Sequence, residues 1–153
     1  MQKLAEKTYR TQDLLEQTLT NLGLEMLYFP GRGDTTAILV DYKGEHFAFE
    51  VDNEHLFLKI IVIKKYRIPM SNLDLYADVR KVMNYINRYE LYTYYYVNDD
   101  EHKRFDINVK VDIPFTYGIL DNPEDYLRII LDAFFIVDDK FQDEMKKLGY
   151  RYA

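Results

Sequence analysis

The three histidines are the side chains in this sequence best suited to proton transfer or metal binding. His46, His55 and His102 are far apart, and no HxH or HExxH pair places two of them on one element. A histidine metal site would therefore need ligands that converge from several strands. We expect surface or structural roles for all three. Because the chain has no cysteine, it offers no disulfide framework and no thiol chemistry.

Acidic residues gather at the predicted turns, where calcium-binding loops also place their carboxylates. A calcium loop needs alternating oxygen ligands, a glycine and a final glutamate, and the sequence contains no such run. The segment Gly31-Arg32-Gly33 is too short for a phosphate-binding loop, and no strand–loop–helix unit surrounds it. The sequence therefore predicts neither a metal nor a cofactor. The acidic turn residues are Asp52, Glu54, Asp99, Asp100 and Glu101.

One basic cluster, Lys64, Lys65 and Arg67 with Tyr66 among them, has the composition of a single-strand nucleic-acid site. The net charge of the chain is −6, from 20 basic and 26 acidic residues, which opposes a general phosphate-binding surface. Lysines on a strand also discourage aggregation between sheet edges. We therefore interpret the cluster as the solubilising end of a strand and expect no nucleic-acid binding.

A run of tyrosines stands out in a chain with 15 Tyr, 9 Phe and no Trp. Side chains alternate between the two faces of a strand, so Tyr92, Tyr94 and Tyr96 share one face. This ladder can be a recognition surface for a protein partner. Alternatively, the three rings pack under the second or third helix and their hydroxyls reach water, because Tyr joins an apolar ring to a polar tip.

The elements that would position these side chains follow from hydrophobic spacing and from capping residues. Their order, α-β-β-β-(β)-α-β-β-α, predicts one α+β domain over residues 1–153. Its sheet has five or six mainly antiparallel, twisted strands with the helices packed on it. The expected helices run from Thr8 or Thr11 to Leu22, from a cap at Ser71 or Asn72 to Arg88, and from a cap at Asn122 to Leu148. The expected strands are Leu24–Phe29, Thr36–Tyr42, His46–Val51, Phe57–Tyr66, Leu91–Val97 and Phe105–Phe115.

Two of these elements carry more detailed expectations about burial. The strand that begins at Phe105 alternates apolar with polar residues, so we expect one core face and one wet face, the latter with Asp106 and Asn108. In the second helix, Tyr85 and Tyr89 are expected to widen the buried stripe. That stripe consists of Tyr76, Val79, Met83 and Ile86, with Val82 beside it.

The last helix carries two apolar stripes. Ile129, Ala133 and Ile136 lie nearly opposite the main stripe, whereas a surface helix needs only one apolar side. A second stripe implies a second burial partner, either another copy of the chain or a ligand peptide. We therefore assign these three residues to protein binding. The main stripe consists of Leu127, Ile130, Leu131, Phe134, Phe141, Met145 and Leu148.

Several segments together carry a resemblance to known proteins: Leu22-Gly23 at the end of the first helix, the hairpin Tyr42-Lys43-Gly44-Glu45-His46-Phe47, Asp78-Val79, the stretch Val82-Met83-Asn84-Tyr85-Ile86-Asn87, and Phe141-Gln142-Asp143-Glu144-Met145. With the order of elements, they make the chain resemble type III secretion chaperones and the related YbjN-type domains. The resemblance implies an acidic, non-enzymatic module that binds other proteins, often as a dimer. It carries over no catalytic residue.

From these observations we expect a non-enzymatic protein-binding module, chaperone-like or adaptor, with a homodimer through the last helix. The alternative is a small-molecule binding protein or enzyme whose Tyr- and Phe-lined pocket lies between the sheet and a helix. Tyr95, Asn84 or His46 would be the polar groups of that pocket. No signal peptide and no apolar run of membrane-spanning length is present, so we expect a cytoplasmic protein that does not bind membranes.

Overall fold

The computed structural model describes residues 11–31, 33, 35–51, 57–118 and 120–150. His55, Asp52 and Glu54 lie outside this described part of the chain. The described residues form three helices, α1 (Thr11–Asn21), α2 (Leu73–Tyr89) and α3 (Pro123–Lys147). They also form six strands, β1 (Leu27–Pro30), β2 (Thr36–Tyr42), β3 (Glu45–Val51), β4 (Phe57–Pro69), β5 (Thr93–Asp99) and β6 (Arg104–Pro114).

The six strands are antiparallel and form one open, twisted sheet in the order β1-β2-β3-β4-β6-β5. The predicted α+β class and the predicted order of elements are confirmed. β1 and β5 are the two edges of the sheet, so each leaves one row of backbone groups without a neighbouring strand. β1 is also shorter than the expected Leu24–Phe29, and all four of its residues are exposed.

Local chemistry explains where the elements begin and end. Asn72 caps α2, because its Oδ1 accepts a 3.1 Å hydrogen bond from the Leu75 N–H. Asn122 does the same for α3 through the Asp125 N–H, also at 3.1 Å. Between β2 and β3, Lys43 and Gly44 both have positive φ, 51° and 82°, as a two-residue hairpin turn requires.

The chain divides into two compact units. The first comprises the described residues of Met1–Ile61 and Asp112–Leu131, and the second those of Val62–Val111 and Asp132–Ala153. Each contains fully buried apolar side chains. In the first unit the fully buried side chains include Leu15, Leu19, Phe47, Phe49 and Phe115; in the second they include Ile86, Tyr94, Ile107, Phe141 and Met145.

The expectation of a wet face on β6 is wrong at two positions, because Asp106 and Asn108 are both buried. Asn108 Oδ1 accepts a 2.9 Å hydrogen bond from the backbone N–H of Lys64 in β4. Asp106 Oδ1 lies 3.2 Å from Arg104 Nε. The Asn108 side chain thus accepts a hydrogen bond inside the second unit, which offsets the cost of burying it. Asp106 Oδ1 has the Arg104 guanidinium as an ion-pair partner but accepts no hydrogen bond from a described residue.

The expectation for Tyr85 and Tyr89 of α2 is also wrong. Both side chains are exposed, while Val79, Val82, Met83 and Ile86 form the buried side of the helix. The two rings pack on each other instead, with their centroids 5.2 Å apart. A tyrosine at the border of an apolar stripe can keep its hydroxyl in water, which the stripe pattern alone does not reveal.

Candidate functional site

The second unit contains a buried carboxylate, Asp138, on the packed side of α3. Its Oδ1 accepts hydrogen bonds from the hydroxyls of Tyr66, at 2.6 Å, and Tyr94, at 3.0 Å. Its Oδ2 accepts a 2.9 Å bond from Gln142 Nε2 and lies 3.8 Å from Lys65 Nζ. The carboxylate is therefore surrounded by donors and by one cation, as a buried charge must be.

Aromatic stacking holds the two hydroxyls in place. The ring of Phe141 stacks on Tyr66 at a centroid distance of 5.0 Å and on Tyr94 at 4.7 Å. Burial, together with the negative charge of Asp138, raises the pKa of Tyr94, so that its hydroxyl keeps its proton and remains a donor. The arrangement positions Asp138 and satisfies its oxygens. It resembles a structural network more than a base prepared for proton transfer.

The sequence reading missed Asp138, although a signal for it exists. Asp138 lies seven residues after Leu131 and four after Phe134, so it occupies a position of the main apolar stripe of α3. A charged residue at a core position predicts either a buried polar network or a functional group. Tyr66 carries no comparable signal, because it lies between Lys65 and Arg67 in a sequence typical of an exposed strand end.

The tyrosine ladder does not form a common exposed surface. Tyr92 and Tyr94 are buried, whereas Tyr96 is 42% exposed. Tyr92 meets Phe134 edge-on at 4.6 Å, and Tyr94 stacks on Phe141, so both rings pack against α3. The interpretation as a three-residue recognition surface is wrong for these two residues. Their packing matches the alternative, except that the hydroxyl of Tyr94 reaches Asp138 instead of water.

The second stripe of α3 is exposed at its two isoleucines. Ile129, in the first unit, is 66% exposed, and Ile136, in the second unit, is 58% exposed. Ala133 is intermediate between buried and exposed. Because these residues are spaced by three or four positions, they share one side of the helix. Their assignment to protein binding stays a prediction.

In the second unit, a groove of about 200 Å³ runs between α2 and the edge strand β5. At one end of it, the side-chain amide of Asn87 bonds to the backbone of Tyr94 twice. Asn87 Oδ1 accepts from the Tyr94 N–H at 2.7 Å, and Asn87 Nδ2 donates to the Tyr94 carbonyl at 2.8 Å. The amide thus takes the place that a neighbouring strand would occupy. The groove is lined by Arg80, Met83, Asn84, Asn87, Tyr94, Tyr95 and Tyr96.

A second groove of the same unit, of about 530 Å³, lies between α2 and the end of α3. The exposed pair Tyr85 and Tyr89 lines it, together with charged residues that neutralise one another. Lys140 pairs with Glu90 at 2.5 Å. Lys147 pairs with Glu144 at 2.8 Å, and this hydrogen bond raises the pKa of Lys147. Most of the charges in this groove are therefore already paired within the chain.

Two of the three polar groups named for a small-molecule pocket, Asn84 and Tyr95, line the same groove, and His46 lines another. Asn84 and Tyr95 line the groove beside β5 in the second unit. His46 lines a groove of about 550 Å³ in the first unit, where it pairs with its cross-strand neighbour Asp41 on the surface. Between β4, β5 and α3, the space is occupied by the stacked rings around Phe141.

Three further candidate residues, His102, Lys65 and Tyr66, have partners within the second unit. His102 Nδ1 lies 2.9 Å from Asp99 Oδ2 at the β5–β6 turn. In the basic cluster, Lys65 and Tyr66 turn to Asp138, which leaves Lys64 and Arg67 at the surface. Among the residues that the structure describes, no group of three or more His, Cys, Asp or Glu side chains could hold a metal ion. No helix of this described part is long and apolar enough to cross a membrane.

Comparisons with known proteins bear on the fold. No family model matches the chain, and no curated protein matches it. Its structure is similar to the crystal structure of YbjN from E. coli, with a TM-score of 0.54 and 17% sequence identity over 89% of this chain and 93% of that chain. It is also similar to an uncharacterized protein from Methanothermobacter thermautotrophicus, with a TM-score of 0.48 and 15% identity over 86% of this chain and 99% of that chain. The first similarity supports a YbjN-type fold, as the sequence predicted.

Proposed function

We propose that this chain is a non-enzymatic protein-binding module that acts as a chaperone or adaptor. The observation that carries the proposal is the exposure of Ile129 and Ile136 on α3, at 66% and 58%. A helix on the surface of a domain needs one apolar side, and α3 has a second. Exposed apolar side chains that share one side of a helix are typical of a protein interface, where contact with a partner removes them from water.

The energetics require more than the two isoleucines. Burying both contributes about 3–5 kcal/mol by transfer, whereas association costs roughly 4–15 kcal/mol in lost motion. A stable interface must therefore bury further area. Ala133, Tyr126 and Phe135 of the same helix are only partly buried and could contribute it.

The charges along α3 fit an interface as well. Arg128 and Lys140 are exposed near the isoleucines, and Asp132 lies on the intervening turn. A polar rim around an apolar centre is the usual composition of a protein interface. A second copy of the chain, giving a homodimer through α3, and a different protein are the two partners that we propose for it. A cytoplasmic location and a link to secretion chaperones belong to the same proposal.

The buried polar groups support a non-enzymatic role. Asp138 is a buried carboxylate of the second unit, and donors from Tyr66, Tyr94 and Gln142 occupy its oxygens. A general base needs an oxygen that can take a substrate proton. Asn84 and Tyr95 line a groove of only about 200 Å³ that is open beside β5, which favours a bound chain segment over an enclosed small molecule, and we propose no second function.

Sedimentation velocity on the wild-type protein and on the Ile129→Glu, Ile136→Glu double variant tests the proposal. We expect the double variant to lose self-association or, if the wild type is monomeric, to lose proteins that the wild type retains from a cell extract. The matched control is Leu73→Glu with Leu91→Glu, since both leucines are 70% exposed and lie outside α3. Equal behaviour of both double variants would contradict the proposal.

A further inference from the structure

The hydrogen bonds between Asn87 and Tyr94 show which backbone groups of the edge strand β5 point away from the sheet. In an antiparallel strand, the N–H and C=O of one residue point to the same side, and the side alternates along the strand. Asn87 bonds both backbone groups of Tyr94 from outside the sheet, so these groups point away from β6. By alternation, the backbone groups of Tyr96 and Asn98 point away from β6 as well.

These outward groups are open to an additional strand. Within the described part of the chain, the outward N–H and C=O of Tyr96 and Asn98 have no hydrogen-bond partner. The side chains around them are accessible, since Tyr96 is 42% and Val97 46% exposed. Unpaired backbone groups on a sheet edge are a template for strand addition. Asn87 blocks pairing at Tyr94 and thereby sets where an added strand must end.

The groove beside this edge has a charge opposite to that of the chain. Among the residues that the structure describes, the lining contains one cation, Arg80, and no carboxylate, whereas the whole chain carries −6. The Arg80 guanidinium lies 6.0 Å from the ring centre of Tyr76, and it forms no ion pair with a described residue. An exposed arginine on an aromatic face is well placed to bind a carboxylate from outside.

We propose that the β5 edge from Tyr96 to Asn98 binds an extended peptide segment of a partner protein as an added strand, with an acidic side chain of that segment against Arg80. Main-chain hydrogen bonds supply the register, and Arg80 supplies the preference for an acidic residue. The side-chain amide of Asn84 adds a further polar group along the groove. This surface is separate from the isoleucines of α3, so the inference goes beyond the proposed function and does not depend on it.

The test begins with a displayed library of random heptapeptides, selected against the purified wild-type chain. We expect selected peptides to share an Asp or Glu at one position and β-branched residues at alternate positions. The best of them is then synthesised, and its affinity is measured by fluorescence anisotropy. A failure to select any peptide, or a selection without an acidic position, overturns the inference.

Two substitutions separate the backbone from the charge. Tyr96→Pro removes an outward N–H and no ladder hydrogen bond, and its matched control Tyr96→Val also loses the ring but keeps the N–H. We expect Tyr96→Pro to bind about tenfold more weakly than Tyr96→Val. Arg80→Gln is expected to weaken binding roughly two- to fivefold and to abolish the difference between the Glu peptide and its Gln analogue. Equal affinities of Tyr96→Pro and Tyr96→Val would overturn strand addition. Equal affinities of the wild type and Arg80→Gln would overturn the role of Arg80.

If Tyr96→Pro fails to fold, strand addition is tested on the wild-type chain with peptides that are N-methylated at alternate backbone positions. Loss of binding on methylation of one alternate set, and not of the other, supports strand addition, and no loss overturns it. The Ile129→Glu, Ile136→Glu variant should bind the selected peptide as well as the wild type does. Binding of a thymidine oligonucleotide that displaces the peptide and depends on Arg80 would reassign the groove to nucleic acid and overturn the inference.

Discussion

Tyr94 and Asp138 are joined by a 3.0 Å hydrogen bond from the phenol hydroxyl to Oδ1. The bond ties the edge strand β5 to the helix α3 in the second unit. Asn87 holds the backbone of the same tyrosine from α2, so Tyr94 is fixed both by its main chain and by its side-chain tip. The position of the β5 edge, and of the groove beside it, depends on these two anchors.

We predict that Asp138→Ala lowers the free energy of unfolding by about 2–4 kcal/mol, because the hydroxyls of Tyr66 and Tyr94 lose their acceptor inside the protein. The neighbouring Asp139 is exposed, so Asp139→Ala should change the same quantity by less than about 0.5 kcal/mol. Urea denaturation followed by circular dichroism measures both. Similar midpoints for the two variants would show that the network contributes little to stability.

We predict that Phe134→Ala lowers the free energy of unfolding by about 3–5 kcal/mol, the usual cost of removing a core phenylalanine. Phe134 is only 4% exposed and packs edge-on against Tyr92. The adjacent Phe135 is only partly buried, so Phe135→Ala should cost clearly less. A loss below about 1 kcal/mol for Phe134→Ala in urea melts would mean that this side chain is not part of the core.

The features that local chemistry determines were predictable from the sequence. Asn72 and Asn122 cap their helices as their positions before an apolar run indicate, and the Lys43-Gly44 turn joins β2 to β3. These features depend on neighbours in the sequence, and the order of elements follows from them. That order sufficed to predict the fold class.

The features that depend on distant partners were not predictable. Asn108 is buried because a backbone N–H 44 residues earlier in the chain points at its side chain. Lys64, which carries that N–H, has a φ of 57°, a conformation that a lysine in an apolar strand gives no reason to expect. The hydrogen bond between Tyr94 and Asp138 likewise joins residues that are 44 positions apart in the sequence. Alternation predicts which face a side chain occupies, but it cannot predict whether a polar partner covers that face.

We predict that Tyr28 in the first unit titrates at unusually high pH. A hydrogen bond to Glu16, followed by burial, raises the pKa of Tyr28 from 10.0 to about 12. The folded state therefore favours the protonated phenol more than the unfolded state does. The resulting stabilisation is complete below pH 10 and is lost as the pH rises from 10 to about 12.

Glu16→Gln tests this assignment, because it removes the carboxylate that accepts from the Tyr28 hydroxyl. We expect the pKa of Tyr28 to fall toward its ordinary value, as measured from the ring carbon shift of Tyr28 in an NMR titration. Glu25→Gln is the control, since Glu25 is exposed and forms no described contact with Tyr28. An unchanged pKa in Glu16→Gln would show that Glu16 does not hold the phenol proton.

The last prediction concerns the folded state of the Ile129→Glu, Ile136→Glu variant. Both side chains are mostly in water, so their replacement should leave the circular dichroism spectrum unchanged and alter the free energy of unfolding by less than about 1 kcal/mol. Glutamate also has a higher helix propensity than isoleucine, which offsets part of any loss. A fold that survives the double substitution permits every change in association to be attributed to the surface of α3.

The stability measurement and the sedimentation measurement together distinguish three states of this helix. A double variant that unfolds shows that Ile129 and Ile136 are core residues and that α3 is covered on both sides within one chain. A folded variant that has lost an association present in the wild type assigns the two isoleucines to an interface, where an unpaired charge costs several kcal/mol. A folded variant of a wild type that binds nothing leaves two scattered surface isoleucines, as many proteins have, and removes the main support for a binding role of α3.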